Sequence, residues 1–384
     1  MAIYAAVDPW LLVFTPSTGD PARIVAGLPL ALRLALDAGA AGMAGIVLPE
    51  DPSERASLER LLDDARLRLP LLERAPAGAS TIAVPPNWLV HRQLLRQVVT
   101  GGPLLEGGAP ARLEPAGPQH VDLSRRPLRP DVPFSFDPIE VTDAASARRA
   151  EGHAFRALRK PQDGWTARWL NRYLSLPLSR LLVRTPLTPN QVSVGILAIG
   201  LCGAYLASRG DYASMAWGAF LFQMQSVLDG CDGEMSRITH RGSLTGEWLD
   251  TVGDDLTNYS FYFGAAWGLF QATGWTPYLA AGLVVVSCGF IASGLEYRYL
   301  VRIGSGDLLK YPLSAGEGQS KLMAAIQPLF KRDTFVFLTF LAALAGWLGP
   351  MLIVFAAGAV GVLVNVLKTE LRLAREQRGG TPVT

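Results

Sequence analysis

A carboxylate-dense stretch lies between two apolar segments in the second half of the chain. Residues 229–254 read DGCDGEMSRITHRGSLTGEWLDTVGD, and the segments on either side are apolar enough to cross a membrane. An aspartate at the centre of a bilayer costs about 2.5–3.5 kcal/mol even on lenient scales, so such a cluster must face water, a cation or its own members. We therefore interpret this stretch as a functional site.

The composition indicates a membrane protein with a soluble part. Of the 384 residues 49% are hydrophobic, and the mean hydropathy of +0.23 is high for a soluble protein of this length. A net charge of only +2 argues against nucleic-acid binding, which needs concentrated Lys and Arg. Because the three cysteines lie far apart without a CxxC pair, the sequence predicts neither a disulfide framework nor a thiolate metal site.

The pattern of residues 1–150 predicts a soluble α/β domain. Apolar runs typical of buried strands lie at 3–7, 11–14, 45–49 and 80–85. Helical patterns alternate with them at about 23–38, 52–68 and 87–99. Such alternation predicts a mainly parallel sheet. The N-terminus lacks the basic flank and the long apolar run of a signal peptide, which favours a cytoplasmic domain.

The pattern of residues 151–188 predicts a linker and a helix that lies on the membrane surface. At helical spacing, one face carries Trp165, Trp169, Tyr173 and Leu176. Another face carries Arg168, Arg172, Ser175 and Ser179. Aromatic rings suit the headgroup level, and the arginines are expected to meet anionic lipid. Pro177 is expected to kink or divide this helix.

Six apolar stretches of about the length of a bilayer span follow in residues 189–375. We predict spans at about 189–208, 212–229, 251–271, 276–297, 333–348 and 350–368. Basic residues gather on one side of these spans, whereas the opposite turns carry only Arg209. By the positive-inside rule both termini, the acidic stretch and the tail at 376–384 face the cytoplasm.

The spacing of the aspartates predicts a metal site. Asp229 and Asp232 are three residues apart and Asp250 and Asp254 are four apart, so each pair shares one helical face. A loop at about 237–246 would join two antiparallel helices and bring the four carboxylates together. An oxygen-only cluster suits Mg²⁺ or Mn²⁺ rather than zinc. We expect the site to bind two divalent ions.

The whole pattern, D-x2-D-G-x2-S-R-x8-G-x3-D-x3-D, closely resembles the signature of the CDP-alcohol phosphotransferase family. The one departure is Ser236, where the family usually has Ala. The likeness includes TPLTPNQVS at 185–193 and covers roughly residues 160–375. It implies a membrane enzyme that transfers a substituted phosphate from a CDP-alcohol to an acceptor hydroxyl and releases CMP. It also implies a homodimer.

The resemblance implies a role for each matching position. Asp229, Asp232 and Asp250 would hold the metals, while Asp254 would complete the second metal's ligands and act as the general base. The positions implied in CDP binding are Gly233, Ser236, Arg237 and Gly246, with Asn190 as a further candidate.

The acceptor site leaves two interpretations open. Arg298 and Arg302 lie one turn apart at the end of the fourth predicted span. They are explained equally by binding a phosphate on the acceptor and by anchoring the helix at the headgroups.

The N-terminal domain carries a second resemblance. RIVAGLPLALRLALDAGAAGMAGIVLP, at 23–49, resembles the opening helix and second strand of sugar-phosphate nucleotidyltransferases. The Gly-rich phosphate loop of those enzymes corresponds here to TPSTGDPARIVAG, at 15–27, which lacks a glycine-dense cradle, and the first lysine is Lys160. We therefore expect this domain to be inactive as a nucleotidyltransferase.

The full arrangement resembles the bifunctional archaeal inositol-phosphate cytidylyltransferases and di-inositol-phosphate synthases. The likeness adds a K-P-Q-D-G segment and an N-R-Y-L-S helix to the domains already described. Three functions remain: phospholipid synthesis from CDP-diacylglycerol, osmolyte synthesis from a soluble CDP-polyol and a polyol-phosphate acceptor, and a catalytically inactive membrane scaffold. The intact signature argues against the scaffold.

Overall fold

The computed structural model describes residues 9–111, 113, 118–159, 170–313 and 332–378. The chain divides into two compact units, Met1–Gln162 with Arg237–Arg241 and Asp163–Ser236 with Gly242–Thr384. The predicted first strand at 3–7 and the residues Trp165, Arg168 and Trp169 of the predicted surface helix lie outside the described residues.

A parallel sheet forms the centre of the first unit. The described strands of this unit are β1 (Trp10–Phe14), β2 (Ile24–Val25), β3 (Leu28–Pro29), β4 (Gly45–Val47), β5 (Leu71–Leu72), β6 (Ser80–Val84), β7 (Trp88–Leu89), β8 (Leu104–Glu106), β9 (Ala109–Ala111), β10 (His120–Asp122), β11 (Leu128–Pro130) and β12 (Ile139–Glu140). Five of them form the main sheet in the order β10-β6-β1-β4-β5, and every neighbouring pair in it is parallel. The predicted α/β fold with a mainly parallel sheet is confirmed.

Helices cover this sheet and complete its core. They are α1 (Leu30–Ala40), α2 (Pro52–Leu62), α3 (Arg92–Thr100) and α4 (Ala144–Arg156). All five residues of β6 are buried, as expected of a central strand in a parallel sheet. Leu12, Ile46 and Ile82 on the strands and Leu58 and Leu94 on the helices are fully buried in one cluster. Helix α4 runs across the predicted domain boundary at residue 150.

The first predicted helix begins later than the sequence pattern indicated. Residues 24–29, expected to be helical, form the antiparallel hairpin β2–β3. Its turn places Ala26 at φ 49° and Gly27 at φ 82°, a left-handed pair that makes a tight turn and cannot continue a helix. Helix α1 therefore starts at Leu30, although the apolar periodicity runs through the hairpin without a break.

A buried histidine makes the stability of the first unit depend on pH. His91 is 6% exposed, its Nδ1 accepts a hydrogen bond from the Gln93 N–H at the start of α3, and its ring packs edge-on against Phe136. Burial lowers the pKa of His91 to about 4. Because an unfolded histidine titrates near 6.5, the unfolded state takes up the proton first as the pH falls, and stability is lost below about pH 6.5.

We expect the melting temperature of the full chain in detergent to fall more steeply between pH 7 and pH 5 than that of His91→Asn. Asparagine also accepts a hydrogen bond at a helix N-terminus but does not titrate in this range. The difference in slope should amount to a few degrees for a loss of about 1 kcal/mol. Identical slopes in circular-dichroism melts would contradict the assignment.

The second unit is helical. Its helices are α5 (Arg172–Leu182), α6 (Pro189–Ala207), α7 (Tyr212–Thr239, whose last residues belong to the first unit), α8 (Leu244–Thr273), α9 (Thr276–Ile303), α10 (Arg332–Leu344) and α11 (Leu348–Arg378), with a short 3-10 turn at Leu308–Lys310. Among the described residues α6, α9 and α11 are long and apolar enough to cross a membrane. The count of six spans stays a prediction.

Small residues let the helices that carry the aspartates pack closely. A Cβ placed on Gly218 of α7 would lie 2.6 Å from the carbonyl oxygen of Gly203 on α6. One placed on Gly264 of α8 would lie 2.5 Å from the carbonyl oxygen of Ala204 on α6. Between α7 and α8 the rings of Phe222 and Phe261 stack at 4.2 Å. Close backbone packing of this kind is typical of helices in membranes, and it fixes α7 and α8 side by side.

Candidate metal and nucleotide site

Three of the predicted aspartates come together between α7 and α8. One carboxylate oxygen from each of Asp229, Asp250 and Asp254 lies within 4.8 Å of the other two. Asp250 is exposed and the other two are half-buried, so the cluster opens to solvent on one side. Three carboxylates this close repel one another unless a cation offsets their charge. The all-oxygen donor set fits a hard divalent cation such as Mg²⁺ or Mn²⁺.

Asp232 lies outside this group of three. It is buried, its Oδ2 contacts the hydroxyl of Ser193 on α6, and its Oδ1 accepts from the N–H of Gly233 at 2.5 Å. Asp229 and Asp232 share a face of α7 as predicted but are separated by almost a full turn along the helix, which puts Asp232 within reach of α6. The predicted convergence of four carboxylates is thus seen for three, and a metal-binding role for Asp232 stays a prediction.

Arg332, the first residue of α10, reaches into the aspartate cluster. Its Nη1 lies 2.9 Å from Asp254 Oδ2 and 3.3 Å from Asp229 Oδ2. Its Nη2 donates to Gln225 Oε1 at 2.8 Å, and Gln225 Nε2 donates to Asp254 Oδ1 at 3.3 Å. The guanidinium therefore offsets part of the charge of the cluster and helps to orient Asp254.

Neither Arg332 nor Gln225 is among the site residues predicted from the sequence. The available signal for Arg332 was its place directly before an apolar helix, at the same edge of the predicted membrane as the aspartates. Gln225 is 2% exposed, and its available signal in the sequence was a polar amide inside the predicted span at 212–229, one turn before Asp229.

Two of the predicted CDP-binding residues meet at helix N-termini. Asn190 lies in the first turn of α6 and Gly246 in the first turn of α8. A Cβ placed on Gly246 would lie 2.9 Å from Asn190 Oδ1, so the glycine leaves room for the Asn190 side chain beside α8. Helix N-termini bind phosphate well because their N–H groups and dipoles point at the anion.

The other predicted CDP-binding residues lie along the C-terminal part of α7. Gly233 and Ser236 are half-buried, and the Ser236 hydroxyl lies 3.2 Å from where a Cβ on Gly242 would be. Arg237 follows on the same helix but falls in the segment Arg237–Arg241 of the first unit. The CDP-binding roles of all three residues stay predictions.

The predicted acceptor residues are exposed at the end of α9. The guanidinium of Arg298 contacts the carboxylate of Glu370 on α11, which also accepts from the hydroxyl of Tyr311 at 3.1 Å. Arg302 is exposed one turn further along. The ion pair gives Arg298 a structural role besides the two open interpretations, acceptor binding and headgroup anchoring.

The polar side of α5 packs against α7, although the sequence predicted that its arginine meets lipid headgroups. Arg172, expected to meet anionic lipid, is paired with the buried carboxylate of Glu234 on α7 at 2.5 Å. Ser175 and Ser179 are buried beside it. Amphipathic spacing alone placed these residues on one face, but it did not show which neighbour that face meets.

Residues 186–367 match the model of the CDP-alcohol phosphatidyltransferase family. Among curated proteins, the bifunctional IPC transferase and DIPP synthase of Aquifex aeolicus is 31% identical over 206 residues, which are 52% of this chain and 42% of that protein. The protein of the same description from Rubrobacter xylanophilus is 37% identical over 127 residues, 32% of this chain and 28% of that protein. The chain thus spans less than half the length of these curated relatives.

Among solved structures, the chain is similar to the phosphatidylinositol phosphate synthase of Mycobacterium tuberculosis. The crystal structure with CDP-DAG bound is 20% identical, covers 51% of this chain and 93% of that one, and aligns with a TM-score of 0.41. The structure of the same synthase in complex with manganese and citrate aligns with a TM-score of 0.39, at 20% identity, over 50% of this chain and 87% of that one.

Proposed function

We propose that this chain, whose residues 186–367 match the model of the CDP-alcohol phosphatidyltransferase family, transfers a substituted phosphate from a CDP-alcohol to an acceptor hydroxyl and releases CMP. The observation that carries the proposal is the convergence of Asp229, Asp250 and Asp254 within 4.8 Å, inside the matched region. Carboxylates held this close suit a divalent cation, and a diphosphate donor needs one.

The residues of the cluster have different roles in the proposed reaction, namely metal binding, proton transfer and orientation of the base. Asp229, Asp250 and Asp254, with Asp232 as a further predicted ligand, would hold two Mg²⁺ or Mn²⁺ ions, which would neutralise charge on the diphosphate. Asp254 takes the proton from the acceptor hydroxyl, the acceptor oxygen bonds to the β-phosphorus, and the bond from the β-phosphorus to the bridging oxygen breaks to release CMP. The Gln225 amide, 3.3 Å from Asp254 Oδ1, orients the base.

The N-terminal loop supports the proposal that the first unit makes no CDP-alcohol. Where a nucleotidyltransferase would cradle a triphosphate, the N–H of Ser17 donates to Glu54 Oε1 at 2.9 Å and the hydroxyl of Thr18 donates to Glu140 Oε1 at 2.6 Å. A Cβ on Gly19 would lie 2.7 Å from the carbonyl oxygen of Val141. Carboxylates face this loop and its backbone is closely packed, so it repels a triphosphate rather than binding one.

The donor is proposed to be CDP-diacylglycerol. Three of the described helices of the second unit are long and apolar enough to cross a membrane, which supports a donor that is itself a membrane lipid. The alternative is a soluble CDP-polyol with a polyol-phosphate acceptor, and the curated relatives at 31% and 37% identity, described as DIPP synthases, favour it. Loop charges favour the cytoplasmic membrane, with the N-terminal domain and the site facing the cytoplasm. We expect a homodimer and no nucleic-acid partner.

A screen of donors and acceptors tests this function. The purified full chain in detergent would be given CDP-diacylglycerol or CDP-inositol with inositol, inositol phosphate or glycerol phosphate, and CMP would be measured with Mg²⁺, with Mn²⁺ and with EDTA. We expect metal-dependent CMP release with CDP-diacylglycerol. Release only with CDP-inositol would establish the alternative, and no release with either donor would support the inactive scaffold. Formation of CDP-inositol from CTP would contradict the inactive first unit.

We expect Gly246→Ala to weaken the binding of CDP several-fold. The added methyl group would lie 2.9 Å from Asn190 Oδ1 and push that side chain away from the two helix N-termini, where phosphate is proposed to bind. Isothermal titration with CDP measures the effect. Gly294→Ala on α9, where a Cβ meets nothing within 4 Å, is the control. Equal CDP affinity in the two variants would contradict the role of Gly246.

A further inference from the structure

Helix α5 turns its polar side inward. Ser175 and Ser179 are 1% and 0% exposed, whereas Tyr173 and Leu181 are 74% and 62% exposed. On a soluble protein an amphipathic helix shows the opposite arrangement, with its apolar side against the core. An outward apolar side is expected where lipid, rather than water, surrounds the helix.

The polar side of α5 converges on one carboxylate. Glu234 of α7 is 0% exposed. Its Oε1 accepts from Arg172 Nη1 at 2.5 Å and from the Ser175 hydroxyl at 2.8 Å, and its Oε2 accepts from the Ser179 hydroxyl at 2.6 Å. A buried carboxylate is tolerated only when it is paired and hydrogen-bonded in this way, and charge-assisted bonds of this kind have strict geometry.

Glu234 lies on the side of α7 opposite the aspartates. At about 100° per residue, it is turned by roughly 140° from Asp229 and by roughly 160° from Asp232 around the helix axis. Gly230 shares the side of Glu234, and a Cβ placed there would lie 3.3 Å from the Ser175 hydroxyl. The glycine therefore lets α5 come close enough for its serines to reach the carboxylate.

We propose that Glu234 is a positioning residue, which fixes the rotation of α7 about its axis and so the direction in which Asp229 and Asp232 present their carboxylates. The contacts of an apolar helix with lipid have no preferred direction, whereas three hydrogen bonds to one carboxylate do. A carboxylate roughly 6 Å from the helix axis moves about 2 Å when the helix turns by about 20°, which is comparable to a metal–oxygen bond length. The proposal rests on the proposed metal site.

Glu234→Gln tests this proposal because it keeps the shape of the side chain and removes its charge. Mn²⁺ affinity, measured by electron paramagnetic resonance on folded protein in detergent, is expected to weaken about tenfold, the lower end of the range for residues that orient metal ligands. The kcat for CMP release should fall while KM for the donor stays nearly constant. A lower melting temperature with Mn²⁺ affinity within twofold of wild type would show a purely structural role and overturn the proposal.

A double-mutant cycle distinguishes a specific role of the Arg172–Glu234 pair from a general loss of stability. Because Arg172 and Glu234 act as one unit, Arg172→Gln combined with Glu234→Gln should bind Mn²⁺ no more weakly than the weaker of the two single variants. Additive losses would overturn the proposal. Glu376→Gln, in an exposed pair with Arg372 on α11, is the matched control and should match the wild type in both measurements.

Three further outcomes also decide between the alternatives. If Glu234→Gln does not fold, Ser175→Ala with Ser179→Ala keeps the ion pair and carries the test, with a loss of Mn²⁺ affinity expected and an unchanged affinity overturning the proposal. A wild-type chain that binds no Mn²⁺ would overturn both this inference and the metal site. A chain that binds Mn²⁺ and loses affinity in Glu234→Gln, yet releases no CMP, would support the positioning role while the proposed reaction fails.

Discussion

Asp254→Asn is expected to lower the rate of CMP release by about 10³-fold or more, since it removes the general base, which contributes typically 10²–10⁴-fold, together with one of the three carboxylates of the metal cluster. Asparagine keeps the size of the side chain and an oxygen that can still accept from Gln225. The variant should therefore fold, and its melting temperature should stay near that of the wild type. Activity that survives this substitution would overturn the proposed mechanism.

The adjacent Asp255 supplies the matched control. Its Oδ2 contacts the Ser293 hydroxyl and accepts from the Tyr297 hydroxyl at 2.7 Å, both on α9. Asp255→Asn makes the same chemical change one residue away, on a side chain that bonds between helices. We expect it to lower the melting temperature and to keep CMP release within about tenfold of wild type, as is usual for residues outside the reacting groups. Equal losses in the two variants would mean that Asp254 acts through packing.

The metal cluster was predictable because its geometry is local. Asp250 and Asp254 share a helical face by their spacing alone, and a short loop between two helices returns the chain to Asp229. The partner of Asp232 was not predictable in this way. Ser193 lies 39 residues earlier in the sequence, and only the close packing of α6 on α7 brings it within reach.

For the first unit, the main sheet was predictable from the sequence, but the hairpin β2–β3 was not. Buried parallel strands such as β6 appear in the sequence as continuous apolar runs, so the sheet could be anticipated. The hairpin β2–β3 has the same apolar periodicity as the helix that follows, and its turn depends on Ala26, which sits at positive φ where alanine is rarely found. Likewise, amphipathic spacing on α5 identified a polar face, but only the structure shows that Glu234 occupies it.

Arg332→Gln is expected to tighten Mn²⁺ binding and to slow CMP release. The guanidinium lies 2.9 Å from Asp254 and 3.3 Å from Asp229, so it offsets the charge that attracts a cation to the same oxygens. Between effective dielectric constants of about 80 and about 20, the repulsion between one positive charge and a divalent cation about 6 Å away is roughly 1–6 kcal/mol, or at least about tenfold in affinity. The metal-loaded variant should nevertheless turn over about tenfold more slowly, because Asp254 and Gln225 lose the group that orients them.

The opposite signs of these two effects separate Arg332 from the metal ligands. Asp250→Asn should both weaken Mn²⁺ binding and slow the reaction. Arg332→Gln should slow the reaction without weakening Mn²⁺ binding. Arg332→Lys keeps the charge and loses the forked geometry, so its Mn²⁺ affinity should stay near that of the wild type. The control is Arg209→Gln, an exposed arginine after α6 whose guanidinium lies 3.4 Å from the Tyr205 hydroxyl. Mn²⁺ binding that weakens in Arg332→Gln would mean that the guanidinium holds the carboxylates in place for the cation instead of competing with it.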